Sequence, residues 1–123
     1  MSCIRDRDSS PLIKGKDILT LAEITDKEIL SILDLADILK RERRRHIYRR
    51  LLENRTLAML FQKPSTRTRV SFEVAMFELG GQALSLDLAT LQLSRGETIE
   101  DTAKTLSQYV DAIMARVYEH NEI

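Results

Sequence analysis

A three-layer α/β domain built on a parallel sheet is the fold this sequence predicts. Three observations carry that expectation. Short apolar runs alternate with amphipathic stretches, the apolar period changes between strand-like and helical, and hydroxyl caps or a Gly-Gly pair mark the changes. Strands alternating with helices imply parallel pairing through right-handed crossovers. The 123 residues suit one domain or part of a larger protein, because domains cluster near ~100–150 residues.

Residues 1–10 read as a polar tail, and the domain is expected over residues 11–123. Thr25-Asp26-Lys27-Glu28 fits a capping box, after which Ile29, Leu33, Ala36 and Leu39 recur at helical spacing. The helix runs into Lys40-Arg41-Glu42-Arg43-Arg44-Arg45, and cations suit the carbonyl end of a helix. Leu57-Ala58-Met59-Leu60-Phe61 is an apolar run of the kind shown by a strand covered on both faces. Pro64 interrupts it, and Ser65 and Thr66 then offer N-cap side chains to a helix striped by Val70, Val74 and Phe77 and filled out by Ala75 and Leu79. Gly80-Gly81 ends that helix, because glycine accepts the left-handed conformation at a helix stop.

The unit then recurs. Ala83-Leu84-Ser85-Leu86 reads as a second strand and residues 88–96 as a loop. Thr98 with Asp101 caps a third helix with the stripe Ile99, Ala103, Leu106 and Val110, and Ala112-Ile113-Met114-Ala115 begins a third strand with Arg116 near its end. Met59, Met76 and Met114 fall on core stripes, where packing accounts for them. A sheet ended at the third strand keeps an open parallel edge, which suggests a fragment.

Composition narrows the function classes. With 19 Lys+Arg against 19 Asp+Glu, the net charge of +0 gives no global attraction to nucleic acid or acidic membranes. Apolar residues at 43% and charged residues at 31% argue against wholesale disorder. Cys3 is alone, so a disulfide framework and a thiolate metal cluster are excluded. His46 and His120 have no partner at metal-ligand spacing, so no metal is expected, and with no glycine-rich P-loop or dinucleotide fingerprint no cofactor is expected either. The amino terminus lacks the apolar run of a signal peptide, and no stretch approaches the ~18 apolar residues needed to span a bilayer. A soluble protein of a reducing compartment, the cytoplasm, is expected. The basic run from Arg41 to Arg50 has one aromatic, Tyr48, and no recognition motif, so a solvated helix end explains it better than a nucleic-acid face. Asp87 and Asp111 flank strands and suit turn or cap duty.

Ligands of open parallel sheets bind beyond the carboxyl ends of the strands. Three segments fall on that rim: Lys63 to Arg69, Gln92 to Glu97, and Arg116. The first combines hydroxyls, guanidinium groups and the N–H groups of a starting helix, the donors a phosphate dianion needs. On spacing alone the plainer account is that Ser65 and Thr66 cap a helix while Arg67 and Arg69 lie in solvent.

Phe61-Gln62-Lys63-Pro64-Ser65-Thr66-Arg67-Thr68-Arg69-Val70-Ser71-Phe72-Glu73 resembles the carbamoyl phosphate signature of the aspartate/ornithine carbamoyltransferase family. Arg95-Gly96-Glu97-Thr98-Ile99-Glu100-Asp101-Thr102-Ala103 and Asp111-Ala112-Ile113-Met114-Ala115-Arg116 are similar to it in the same order. The stretch Ile18-Leu19-Thr20-Leu21-Ala22-Glu23 and the stretch from Arg69 to Ala75 resemble the ornithine branch more than the aspartate branch.

The resemblance implies the carbamoyl-phosphate-binding domain of the carbamoyltransferase fold, with carbamoyl phosphate and L-ornithine as substrates. By it, Ser65, Thr66, Arg67 and Thr68 hold the phosphate, while Arg116 and Thr68 polarise the carbonyl as catalytic groups. It also implies a trimer-based homo-oligomer in which Gln92 and Arg95 reach a neighbouring subunit's site and Glu97 pairs with a neighbouring Arg67. Family members further carry a fourth strand, a His-Pro-x-Gln segment and an ornithine-binding domain with a Cys-Leu-Pro motif, none of which is found in this sequence. The isolated chain is therefore expected to be inactive or weakly active. Three further alternatives stand beside this expectation: an aspartate-type domain, a non-catalytic trimer-forming fragment, and a nucleic-acid binder using the Arg41–Arg50 face.

Overall fold

The computed structural model describes residue 13 and residues 15–88 and 98–119. Its chain divides into two compact units, residues 1–47 and 48–123. The first unit holds a 3₁₀ turn at Leu21–Glu23 and helix α1, Asp26–Arg44. The expected capping box is present: Thr25 Oγ1 accepts from the Glu28 N–H, and Glu28 Oε2 accepts from the Thr25 N–H at 2.8 Å. Glu28 is buried, and Lys16 forms an ion pair with its other carboxylate oxygen. That ammonium bond first, and the Thr25 N–H and hydroxyl next, hold the Glu28 carboxyl down to about 2.

The second unit carries β1 (Thr56–Phe61), α2 (Thr66–Glu78), β2 (Gln82–Asp87), α3 (Ile99–Ser107) and β3 (Ala112–Arg116). The strands form one parallel sheet in the order β2-β1-β3. The register aligns their carboxyl ends, with Phe61 beside Asp87 on one side and Arg116 on the other. The crossovers from β1 to β2 and from β2 to β3 step in opposite directions. Right-handed connections therefore set α2 and α3 on opposite faces of the sheet. This is the expected three-layer order.

The central strand explains the apolar run. Leu57, Ala58, Met59, Leu60 and Phe61 are all buried, Met59 completely, and Leu57, Met59 and Phe61 pack with Met76 of α2. Burying one such side chain contributes roughly 1.5–3 kcal/mol. Leu52, Ala83 and Met114 pack around the cluster.

The face of α2 differs from expectation. Val70, Val74 and Phe77 are exposed, Phe77 at 81%, and Met76 is the buried residue of the helix. At about 3.6 residues per turn, Phe72 and Met76 lie on the side opposite that stripe, and Ala75 and Leu79 fall there too rather than filling the stripe out as expected. The helix thus carries two apolar faces, and the sheet takes the one bearing Met76. Val110 likewise lies beyond α3 rather than on it.

The glycine stop forms as expected. Gly80 has φ of 85°, its N–H donates to the Phe77 carbonyl, and the Gly81 N–H donates to the Met76 carbonyl at 2.8 Å. These two bonds make a Schellman closure. A Cβ on Gly81 would stand 2.9 Å from the carbonyl oxygens of both Arg55 and Leu52, so no larger residue fits.

Candidate functional site

The site segment begins where β1 leaves the sheet. Pro64 cannot continue a ladder and biases Lys63 toward extended backbone, so the chain turns within a few residues. Ser65 is the N-cap of α2, with extended backbone at φ −153°. Its side chain does not cap the helix, contrary to expectation. The Ser65 hydroxyl instead donates to Thr68 Oγ1 at 2.8 Å. Among the described residues no side chain is seen to accept from the first-turn N–H groups, and no acidic residue stands in that turn.

Cations stand there instead. Arg67 and Arg69 occupy the first turn, where the helix dipole disfavours positive charge. Arg69 is tied to Glu73 one turn on, at 3.1 Å. Arg67 is exposed, and among the described residues no carboxylate pairs with it. Free amides, a dipole end and an unpaired guanidinium are together an anion-binding arrangement.

Strand order sets what lies beside this turn. The crevice of an open sheet falls where the order reverses, here between β1 and β3. Arg116 ends β3 at the level of Phe61, and its carbonyl accepts from the Gln62 N–H at 2.9 Å. The exits of β1 and β3 are thus adjacent. Arg116 is exposed and stands one hydrogen bond from the strand end that leads into Ser65–Thr68. Gln92 and Arg95, with the loop expected over 88–96, lie outside the described residues apart from Leu88, whose N–H donates to the Phe61 carbonyl. His120, Cys3 and the tail also lie outside them.

Two contacts at the rim escape a reading of motifs. Gln62 Oε1 accepts the Tyr118 N–H at 2.6 Å, and the Lys63 ammonium lies 4.4 Å from the centre of the Tyr118 ring. The available signal is positional: Gln62 directly follows the apolar strand, and Tyr118 lies two residues past Arg116.

At the other end of the same strand pair, Asp111 accepts from the Thr56 N–H at 2.8 Å and pairs with Arg55. The Thr56 N–H first, and the Arg55 guanidinium second, keep its carboxyl below the usual aspartate value. Asp111 serves as a strand clamp, the structural duty expected of it. Among the described residues no group of three or more His, Cys, Asp or Glu side chains is placed to hold a metal ion, and no helix is long and apolar enough to cross a membrane.

Fold and rim together define an open parallel α/β domain whose strand ends carry a turn with donors suited to an anion. The family model described as "Aspartate/ornithine carbamoyltransferase, carbamoyl-P binding domain" matches residues 16–123, and the chain belongs to that family. An ornithine carbamoyltransferase of Pyrococcus abyssi is 60% identical over 111 residues, covering 90% of this chain and 35% of the relative. One from Anoxybacillus flavithermus is 55% identical over the same length and shares. The structure of the Pyrococcus furiosus ornithine carbamoyltransferase superposes with a TM-score of 0.84 at 59% identity, over 89% of this chain and 35% of that one. Aspartate transcarbamoylase of Trypanosoma cruzi, in complex with carbamoyl aspartate and phosphate, gives a TM-score of 0.83 at 30% identity, over 89% and 34%. The chain spans about a third of the length of these relatives.

Proposed function

We propose that this chain is the carbamoyl-phosphate-binding part, residues 11–123, of an ornithine carbamoyltransferase. The reaction moves the carbamoyl group of carbamoyl phosphate to the side-chain amine of L-ornithine, giving citrulline and phosphate, in the cytoplasm and in arginine biosynthesis or urea-type metabolism. The amine nitrogen attacks the carbonyl carbon, a tetrahedral intermediate forms, and the bond to the phosphate oxygen breaks. Ser65, Thr66, Arg67 and Thr68 hold the phosphate, and Arg116 with Thr68 draws electron density toward the carbonyl oxygen. Such catalysis rests on fixed charge and orientation. The protein works as a trimer-based homo-oligomer, with Gln92 and Arg95 supplied by the neighbouring subunit.

The amino end of α2 carries this reading: it is uncapped by Ser65, has no acidic residue in its first turn, and bears an Arg67 that no carboxylate among the described residues pairs with. The ornithine assignment is supported by relatives of that name at 55–60% identity, against 30% for the aspartate enzyme. Titration with carbamoyl phosphate followed by phosphorus NMR tests it. Arg67→Ala is expected to lose ~2–3 kcal/mol of binding, the worth of a charged hydrogen-bonded partner. Equal affinity in the two proteins rejects the assignment.

A further inference from the structure

We propose that Gln62 is a positioning residue, whose side-chain carbonyl anchors the exit of β3, and with it Arg116, beside the anion-binding turn. The inference rests on the reading of that turn given above. In a parallel ladder, a residue that donates its N–H to one partner accepts, on its own main-chain carbonyl, the N–H found two residues further along the neighbouring strand. Gln62 donates to the Arg116 carbonyl at 2.9 Å, so the regular acceptor of the Tyr118 N–H would be the Gln62 main-chain carbonyl. Its side-chain Oε1 takes that N–H instead, at 2.6 Å.

The substitution has a geometric use. It completes the rung while releasing the main chain of β1 to turn through Lys63 and Pro64 into α2. An apolar residue at 62 would leave the Tyr118 N–H without this acceptor, and a regular rung would carry β1 onward past the start of the turn. Lys63 adds a second hold on the same residue through the Tyr118 ring. Arg116 is thereby bracketed: its own carbonyl and the N–H two residues later are both bonded to Gln62. A guanidinium whose backbone is set before ligand arrives loses less freedom on binding.

Phosphorus NMR titration of the 123-residue chain with inorganic phosphate tests this, using wild type, Gln62→Met, Arg116→Gln and the double variant. Gln62→Met is expected to weaken phosphate about tenfold, as misplacement of a binding group does. In the Arg116→Gln background it should change nothing further, because Gln62 acts through Arg116. Tyr118→Pro, which deletes the donor rather than the acceptor, should reproduce the loss and keeps the test open if Gln62→Met does not fold. Amide exchange at Tyr118 should be slow in wild type and in Gln62→Glu, and fast in Gln62→Met.

Wild-type affinity in Gln62→Met or in Tyr118→Pro overturns the proposal. So does an undiminished tenfold loss in the Arg116→Gln background, which marks a merely structural role. If wild type binds no phosphate, or Arg67→Ala binds as well as wild type, the turn itself is misread and the role of Gln62 falls with it. If Arg67→Ala and Arg116→Gln both weaken binding while Gln62→Met does not, only the present inference is lost.

Discussion

The amino ends of α1 and α3 are built for stability, and that of α2 is not. Thr25 and Thr98 each accept the N–H three residues on, and Asp26, Glu28, Glu100 and Asp101 put negative charge on the positive pole of their helices. At α2 the cap position also holds a hydroxyl residue, but Ser65 turns it toward Thr68, and the first turn carries arginine instead of carboxylate. Among the described α-helices the capping rule is followed at α1 and α3 and departed from at α2, at the rim of the sheet. Departures of this kind mark places where local stability has been exchanged for binding.

Converting one kind of helix end into the other is the strongest way to break the contrast. Arg67→Glu gives α2 the acidic first turn of its neighbours. Carbamoyl phosphate binding should fall by at least the ~2–3 kcal/mol expected for Arg67→Ala, since a repelling charge replaces an attracting one. Thermal unfolding should meanwhile show a gain of ~0.3–1 kcal/mol from the dipole. A variant that loses binding without gaining stability would show that the helix end was never strained.

A smaller effect separates the two hydroxyl N-caps. Thr25→Ala removes a working cap and should cost ~0.5–2 kcal/mol in urea unfolding. Ser65→Ala removes no cap bond and should stay within about 0.5 kcal/mol, although phosphate binding weakens. Equal stability losses would erase the distinction.

Acid sharpens the comparison further. Glu28 is held at about 2 against its ordinary 4.5, so its contribution is complete above pH 4.5 and is lost as pH falls toward 2. Denaturation midpoints followed across that window should decline in wild type, and decline less in Glu28→Gln. The first turn of α2 holds no carboxylate of its own, and its acidic partner among the described residues is Glu73, in an exposed pair with Arg69 one turn on.

Much of this architecture was legible before any coordinates. The capping box, the doubly covered strand and the glycine stop are local patterns in which every signal agrees, and each formed where expected. The buried face of α2 was not legible, because Val70, Val74 and Phe77 spell a stripe as convincing as the one around Met76, and only the sheet decides between them. At the site, the residue types in Ser65–Thr68 and Arg116 could be named in advance, since motif and rim position point the same way. The Ser65–Thr68 hydroxyl bond and the Gln62–Tyr118 bond could not, because one depends on a rotamer and the other joins residues 56 apart in sequence.

Strand order carries a last consequence, for the sequence of events in folding. β1, α2 and β2 follow one another directly, so their loops close early and at low entropic cost, whereas β3 must return past β2 to reach the far side of β1. Contact order predicts that the seam between β1 and β3 closes after the seam between β1 and β2. An anion held across that seam, as proposed above, would act as a fastener on the later-closing joint, favouring its shut state more as the anion's concentration rises.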